Sequence, residues 1–406
     1  PAADLVAFYV PMHTATRIAT LVLERVKKAS PRAHLCFFGL YAPVNEHFLR
    51  RLGAGTILGG EFEEGLVSLV KRLGAGPAGD QPEPIVSLAR QRFLVPDRSG
   101  LPPLERYAHL KLDATTQRVV GYTEASRGCK HLCRHCPVVP VYRGRFRVIP
   151  RDVVLADIRQ QVAIGARHIT FGDPDFFNGP GHAIPLVEAL HREHPEITYD
   201  VTIKIEHLLA HAEHLRALRD TGCLFVTSAV ESVDDRILEL LDKHHTRDDF
   251  VRVVGLFREL GLTLCPTFVT FTPWTTPQGY RDLLALLADL DLIAAIPPIQ
   301  LAIRLLIPAG SRLLELPFIQ ELAGRFDEVA LCHPWVHPNP EVDRLHERVL
   351  ATVKRGQKET QTRGEIFRDV WTLAHDAGGL ETPPLPGLHG TFAQASIPHL
   401  SEPWFC

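Results

Sequence analysis

The sequence predicts an α/β protein centred on an open (β/α)6 partial TIM barrel, with a small α/β layer before it and an extension after it. Three observations predict this. Between Val119 and Leu305 six apolar runs recur, separated by stretches with helical spacing. The runs have no polar alternate face, as in strands of a parallel sheet covered on both sides. Six such units are too few to close an eight-stranded barrel, so the sheet stays open. At 406 residues the chain has room for two or three domains.

The first layer, residues 1–85, reads as flavodoxin-like. Leu5–Val10 is a short apolar strand, and Thr14 caps a helix on which Ile18, Leu21, Val22 and Val26 share a face. His34–Gly39 is a second strand, Val44–Leu52 a helix, Thr56–Leu58 a third strand, and a further helix runs from about Glu61 to Leu73. The Gly- and Pro-rich stretch Gly74–Pro84 is an exposed loop. Residues 86–115 form a connector in which Pro96, Pro102 and Pro103 discourage regular structure.

The barrel occupies residues 116–310. Its strands are predicted at Val119–Thr123, His168–Gly172, Tyr199–Ile205, Cys223–Val230, Leu262–Thr270 and Pro298–Leu305. Helices lie between them, for example Asp152–Ile164 and Asp249–Leu260. Active residues of such folds gather at the carboxyl ends of the strands. After the first strand comes Cys129-Lys-His-Leu-Cys133-Arg-His-Cys136. Three thiols so close can surround one iron–sulfur cube, for which thiolate is the usual ligand. With only three, one iron keeps an open position for a substrate or cosubstrate. The alternative is a structural zinc site completed by His131 or His135. Zinc sites usually bring a second ligand pair a dozen or more residues away, and none follows here.

Composition excludes other classes. The formal charge is −3, with 22% charged residues, so no basic excess points to nucleic acid. No apolar run of membrane length occurs, and no secretory leader is visible at the start. Eight cysteines with three crowded together suit a reducing cytoplasmic setting better than a disulfide framework.

The cysteine triplet after a predicted strand resembles the signature of radical S-adenosylmethionine (radical SAM) enzymes, and the likeness spans Val119 to Leu306. It implies a [4Fe-4S] cluster on Cys129, Cys133 and Cys136, whose open iron is chelated by the amino and carboxylate groups of SAM. It also implies an external reducing donor such as flavodoxin or ferredoxin. One-electron reduction then breaks a carbon–sulfur bond, releasing either a 5′-deoxyadenosyl or an aminocarboxypropyl radical. Gly172-Asp173-Pro174 stands where the family has a Gly-Gly-Glu turn that holds the amino group. Ala229-Val-Glu231-Ser232 resembles the family's Gly-x-Glu-Ser turn. On the third strand, Lys204 and Glu206 share a face and form either a solvated ion pair or a contact to SAM or substrate. Arg304 needs a partner if buried, either the methionyl carboxylate or a structural carboxylate.

The flanks carry weaker likenesses. Gly59–Leu66 resembles a stretch of cobalamin-binding domains, but the Asp-x-His-x-x-Gly loop is missing and His13 sits in a different setting. That layer is expected to lack cobalamin. Cys332 and His337 in the extension, residues 311–406, are a possible metal pair or ordinary loop residues. The tail, ending in Trp404-Phe405-Cys406, resembles radical SAM proteins with a Cys- or selenocysteine-bearing Ala-Glu-Pro motif, kin to enzymes of arsinothricin biosynthesis. No Ala-Glu-Pro follows Cys406, a departure from that pattern. The likeness favours 3-amino-3-carboxypropyl transfer to a small thiophilic acceptor such as arsenite, with Cys406 and Glu206 as catalytic residues. Hydrogen abstraction or cobalamin-dependent methylation of a small metabolite are the alternatives. A non-catalytic zinc- or cluster-binding module is the other class.

Overall fold

The computed structural model describes residues 3–75, 82–113, 115–376, 384–385 and 398–401. Strands β1 (Leu5–Tyr9), β2 (His34–Phe38), β3 (Thr56–Gly60) and β4 (Val86–Ser87) form a parallel sheet in that spatial order. Ligand crevices of open α/β sheets form where the strand order reverses. Among the described residues this sheet has no reversal. The helix His13–Ala29 starts one residue before Thr14, with Met12 as its cap. It buries Thr16, Ala19 and Leu23, while Ile18, Leu21 and Val22 are exposed. The expected face is therefore rotated: the smaller residues let helix and sheet approach closely.

Part of the extension returns to this layer. Leu331 and Phe326 join the core formed by Val10, Phe37 and Leu49. The ring Nε2 of His13 lies 2.6 Å from the carbonyl oxygen of Ala330.

The barrel sheet has seven strands. In chain order they are β5 (His109–Lys111), β6 (Gln117–Thr123), β9 (His168–Phe171), β10 (Thr198–Thr202), β11 (Cys223–Glu231), β12 (Thr263–Phe268) and β13 (His399–Leu400). A separate hairpin, β7 (Ser126–Gly128) with β8 (Phe146–Val148), follows β6. The spatial order is β12-β11-β10-β9-β6-β5-β13. The five strands from β6 to β12 run parallel, β5 is antiparallel to β6, and β13 is antiparallel to β5. β13 consequently runs in the same direction as β6, toward the carboxyl ends. Ile169, Tyr199, Val201 and Val226 form the centre of the core, which the helices Pro340–Lys358 and Arg363–Asp376 extend.

Two expected strands differ. Pro298–Leu305 is not the sixth strand: residues Pro298–Ala302 form a 3-10 helix, and pairing shrinks to one bridge between Phe271 and Arg304. Pro297 and Pro298 bring no amide hydrogens to a ladder, which confines proline to edges and ends. β10 stops at Thr202, and Lys204 instead precedes the helix Ile205–Ala210. Lys204 and Glu206 thus meet across a helix start, not along a strand. Among the described residues no helix is long and apolar enough to cross a membrane.

Candidate active site

The three clustered cysteines lie in a loop closed by the β7–β8 hairpin, which pairs Ser126 with Val148 and Gly128 with Phe146. Gly128 has φ +75°, and a Cβ there would stand 2.3 Å from Tyr142 Cδ1 and 2.5 Å from the Arg145 carbonyl oxygen. Only glycine adopts that turn without strain. Gly128→Ala is expected to cost about 2–4 kcal/mol, combining positive-φ strain with overpacking. Thermal unfolding monitored by circular dichroism tests this, and an unchanged midpoint would contradict it.

Neighbouring elements pin the loop. Asn178 Oδ1 accepts from the Lys130 amide at 3.2 Å and lies 3.7 Å from Cys129 Sγ. The Arg134 amide donates to Leu241 O at 3.0 Å, and its guanidinium donates to the carbonyls of Glu239 and Leu240. Arg312 donates to Leu132 O at 2.6 Å, and Ser311 Oγ donates to Arg134 O at 3.1 Å. Cys129, Cys133 and Cys136 are all free of disulfides. Burial pushes the Cys129 thiol up to about 11 and the Cys136 thiol to about 12, with Cys133 adding to both. Protonated soft donors set together in a dry loop fit a thiolate-bound cluster, whose loading would expel the protons.

Asp173 anchors the base of this loop. It is buried, with Oδ2 accepting from the Ala125 amide at 2.8 Å and Oδ1 from the Ser126 hydroxyl at 2.6 Å. Burial pushes its carboxyl up to about 7. Gly172 packs against Tyr122, whose hydroxyl would lie 1.8 Å from a Cβ at that position. Pro174 is exposed.

Glu231 ends β11 with φ +70°. Its Oε1 meets His135 Nε2 at 3.0 Å and the buried ammonium of Lys243 at 3.3 Å. Burial pushes this carboxyl up, but Lys243 and His135 hold it down to about 2. Ser232 accepts from the Asp234 amide within the following turn. Lys204 Nζ lies 2.8 Å from Glu206 Oε2 and 3.3 Å from His131 Nδ1, placing this pair beside the cysteine loop. Arg304 takes the structural partner: it donates to Asp343 Oδ1 at 2.7 Å and to Trp335 O at 2.9 Å, with its guanidinium 3.6 Å above the Trp335 ring. Its fork is already engaged. Cys406 lies outside the described residues.

A cavity of about 1700 Å³ runs through the barrel. Cys136, Gly172, Asp173 and Glu231 line its mouth; Pro174, Lys204, Glu206, Ser232 and Arg304 do not line it. Tyr9, Pro11 and Met12 of the first layer form one wall, and Pro398–Ser401 another. Single-ligand sites usually hold about 300–1,000 Å³, so two molecules fit.

Arg127, on the cysteine hairpin, joins the two layers. It pairs with Glu63 and with Glu124 at 2.9 Å, lies 3.6 Å from Glu61, and stacks near Phe62 and Phe93. The stretch Gly59–Leu66 therefore faces the cysteine hairpin.

A model of the Radical SAM superfamily matches residues 123–288. This chain carries a radical SAM domain. Such a domain works with a [4Fe-4S] cluster and SAM, and the three free thiols are the ligands it offers. The chain is 26% identical over 202 residues to the tRNA-2-methylthio-N(6)-dimethylallyladenosine synthase of Paracoccus denitrificans, covering 46% of this chain and 44% of that one. It is 25% identical over 194 residues to the ribosomal protein uS12 methylthiotransferase RimO of Syntrophotalea carbinolica, covering 44% and 42%. It thus spans less than half of these relatives. Among solved structures, the methyltransferase TsrM from Kitasatospora setae, with tryptophan and aza-SAM bound, has a TM-score of 0.60 at 17% identity, covering 78% of this chain and 65% of that one. The cobalamin-dependent radical SAM enzyme OxsB, with aqua-cobalamin and SAM bound, has a TM-score of 0.65 at 15% identity, covering 85% and 57%. At such identities the likeness establishes the radical SAM barrel and its accompanying layer as a fold.

Four residues at the site escape a reading of the sequence alone. Lys243 follows β11 by a dozen residues and has no motif around it. Arg127 looks like any hairpin arginine. Asp175 and His207 sit next to residues that were singled out, Pro174 and Glu206, and that adjacency was the available signal.

Proposed function

We propose that this chain is a radical SAM enzyme that transfers the 3-amino-3-carboxypropyl group of SAM to a small thiophilic acceptor such as arsenite. When bound, the cluster and SAM together supply one-electron reductive cleavage of a sulfonium carbon–sulfur bond. Cys129, Cys133 and Cys136 would hold the cluster. Asp173, through Ala125 and Ser126, fixes the approach to the loop, and Glu231 with Lys243 and His135 fixes its far side. Residues of both layers line the cavity. Exposed Lys130, beside Cys129, suits an acidic electron carrier such as flavodoxin or ferredoxin.

The observation that carries the reading is β13. Its backbone joins the sheet edge, with the Ser401 amide donating to His109 O at 2.7 Å, and it points toward the mouth. Five residues follow Ser401 in the sequence. Cys406 is the last of them. Cys406→Ser is expected to leave cluster content and SAM cleavage unchanged while lowering arsenic product formation at least about tenfold, the loss of one soft ligand. Methylthioadenosine should be the nucleoside formed. Parent-like turnover in Cys406→Ser, or 5′-deoxyadenosine as the nucleoside, overturns the proposal.

Cobalamin-dependent methylation is the second reading, favoured by the wall that Tyr9, Pro11 and Met12 give the cavity. Against it, His13 is engaged with Ala330, and among the described residues the first layer has no strand-order reversal. Passing the protein through a desalting column after mixing with hydroxocobalamin separates the two, since retention near one equivalent would support methylation.

A further inference from the structure

Behind the cysteine loop, His131, Asp175 and His207 come together from three elements: the loop itself, the turn after β9 and the helix after β10. One donor atom from each lies within 4.8 Å of the other two. His131 Nε2 is 3.4 Å from Asp175 Oδ2 and 3.2 Å from His207 Nε2, and His207 Nδ1 is 2.7 Å from Asp175 Oδ2. Asp175 is 1% exposed and His207 3% exposed.

The last contact is the informative one. Asp175 Oδ2 and His207 Nδ1 stand at contact distance, yet they lack the alignment of a hydrogen bond, and neither has another hydrogen-bond partner among the described residues. Two buried polar atoms left in that state cost free energy unless a further partner beside them satisfies them. The rest of each side chain is already fixed. Asp175 Oδ1 accepts from the Phe177 amide at 3.0 Å, leaving Oδ2 to face the imidazoles. His131 Nδ1 faces Glu206 Oε2 at 3.6 Å and Lys204 Nζ at 3.3 Å, outside the trio.

We propose that His131, Asp175 and His207 bind a divalent first-row transition ion, most readily zinc, as a second metal site separate from the three cysteines. Two imidazoles and one carboxylate are a donor set that such ions take, with a fourth position left for water. Donors about 2.1 Å from a common ion stand about 3.0–3.4 Å apart, and one nitrogen from each histidine and one Asp175 oxygen already lie within 4.8 Å of one another. Because His207 offers the ion a single nitrogen while it now turns Nε2 to His131 and Nδ1 to Asp175, its ring must shift to bring one nitrogen toward both. Glu206 then lies where a carboxylate orients a ligating histidine through its other nitrogen. The ion would tie the loop residue between Cys129 and Cys133 to the ends of β9 and β10.

The test is elemental analysis of the iron-reconstituted protein after anaerobic incubation with zinc chloride and desalting. About one zinc per chain is expected beside the iron, with zinc-edge absorption giving only nitrogen and oxygen neighbours at about 2.0–2.2 Å. His207→Gln and Asp175→Asn should each lower zinc at least about tenfold while iron stays at the parent level, the size of effect expected for a lost ligand. A parent that retains no zinc overturns the site, as does zinc with sulfur neighbours near about 2.3 Å, which would place it on the cysteines. Zinc kept by both variants overturns it too. Where a variant also fails to hold iron, the absorption edge of the parent alone decides.

Discussion

Replacing Cys129, Cys133 or Cys136 with Ala, one at a time, is expected to reduce iron from about four atoms per chain to well below one and to abolish SAM cleavage. Three thiols are the minimum donor set on this loop. Removing one leaves two sulfurs and an iron corner open to water. Cys36→Ser and Cys332→Ser are the matched controls: Cys36 is buried in the first layer and Cys332 lies in the extension, both remote in role from the loop. They should keep parent levels of iron. Parent-level iron and sulfide in any of the three Ala variants would falsify the cluster assignment. Broad absorbance near about 400 nm gives the same answer optically.

Lys243→Met is the second large expected effect, this time on stability. Lys243 and Glu231 are both buried, and their charges compensate each other 3.3 Å apart. Removing the cation leaves a carboxylate in the interior, at a cost of about 3–5 kcal/mol. Lys243→Met combined with Glu231→Gln removes both charges and should recover much of the loss. Chemical denaturation of the two variants is the measurement, and equal losses would mean that the ion pair is not the source. The pH dependence has a definite sign. Glu231 is held from an ordinary 4.5 down to about 2, so the unfolded chain binds the proton first. The stability this group contributes is fully present above pH 4.5 and is lost as pH falls toward 2. Lys243→Met should flatten that acid limb.

Elements whose signal is local could be read from the chain. The cysteine spacing is contained in eight residues, and the strands from β6 to β12 announce themselves as apolar runs with helices between. What could not be read depends on partners far along the chain. The run at Pro298–Leu305 is apolar enough for a strand, but Pro298 and the preceding Pro297 cannot feed a ladder. Lys204 and Glu206 follow an alternating pattern that the backbone abandons at Thr202. Ile18, Leu21 and Val22 look like the buried face of a helix because size outweighs shape in a one-dimensional pattern. Arg304 was open between two carboxylates in the sequence, and only the packing of the extension selects Asp343. His131 and His135 were legible merely as histidines near thiols. Their acidic partners, Asp175 and Glu231, are 44 and 96 residues away.

The contacts of Arg127 bear on why the first layer would persist whether or not it binds a cofactor. A layer that binds nothing would ordinarily be free to erode, its core decaying substitution by substitution. Here it supplies Glu61, Glu63 and one of the rings around a guanidinium that sits on the cysteine hairpin. Losing that layer would strand the arginine with Glu124 and Phe93 alone. A change on the hairpin is therefore felt in the first layer, whose acidic turn holds Arg127 independently of any ligand. A gene trimmed to the barrel would inherit an unbalanced charge beside its most sensitive loop, and restoring balance would take at least one further substitution at Arg127.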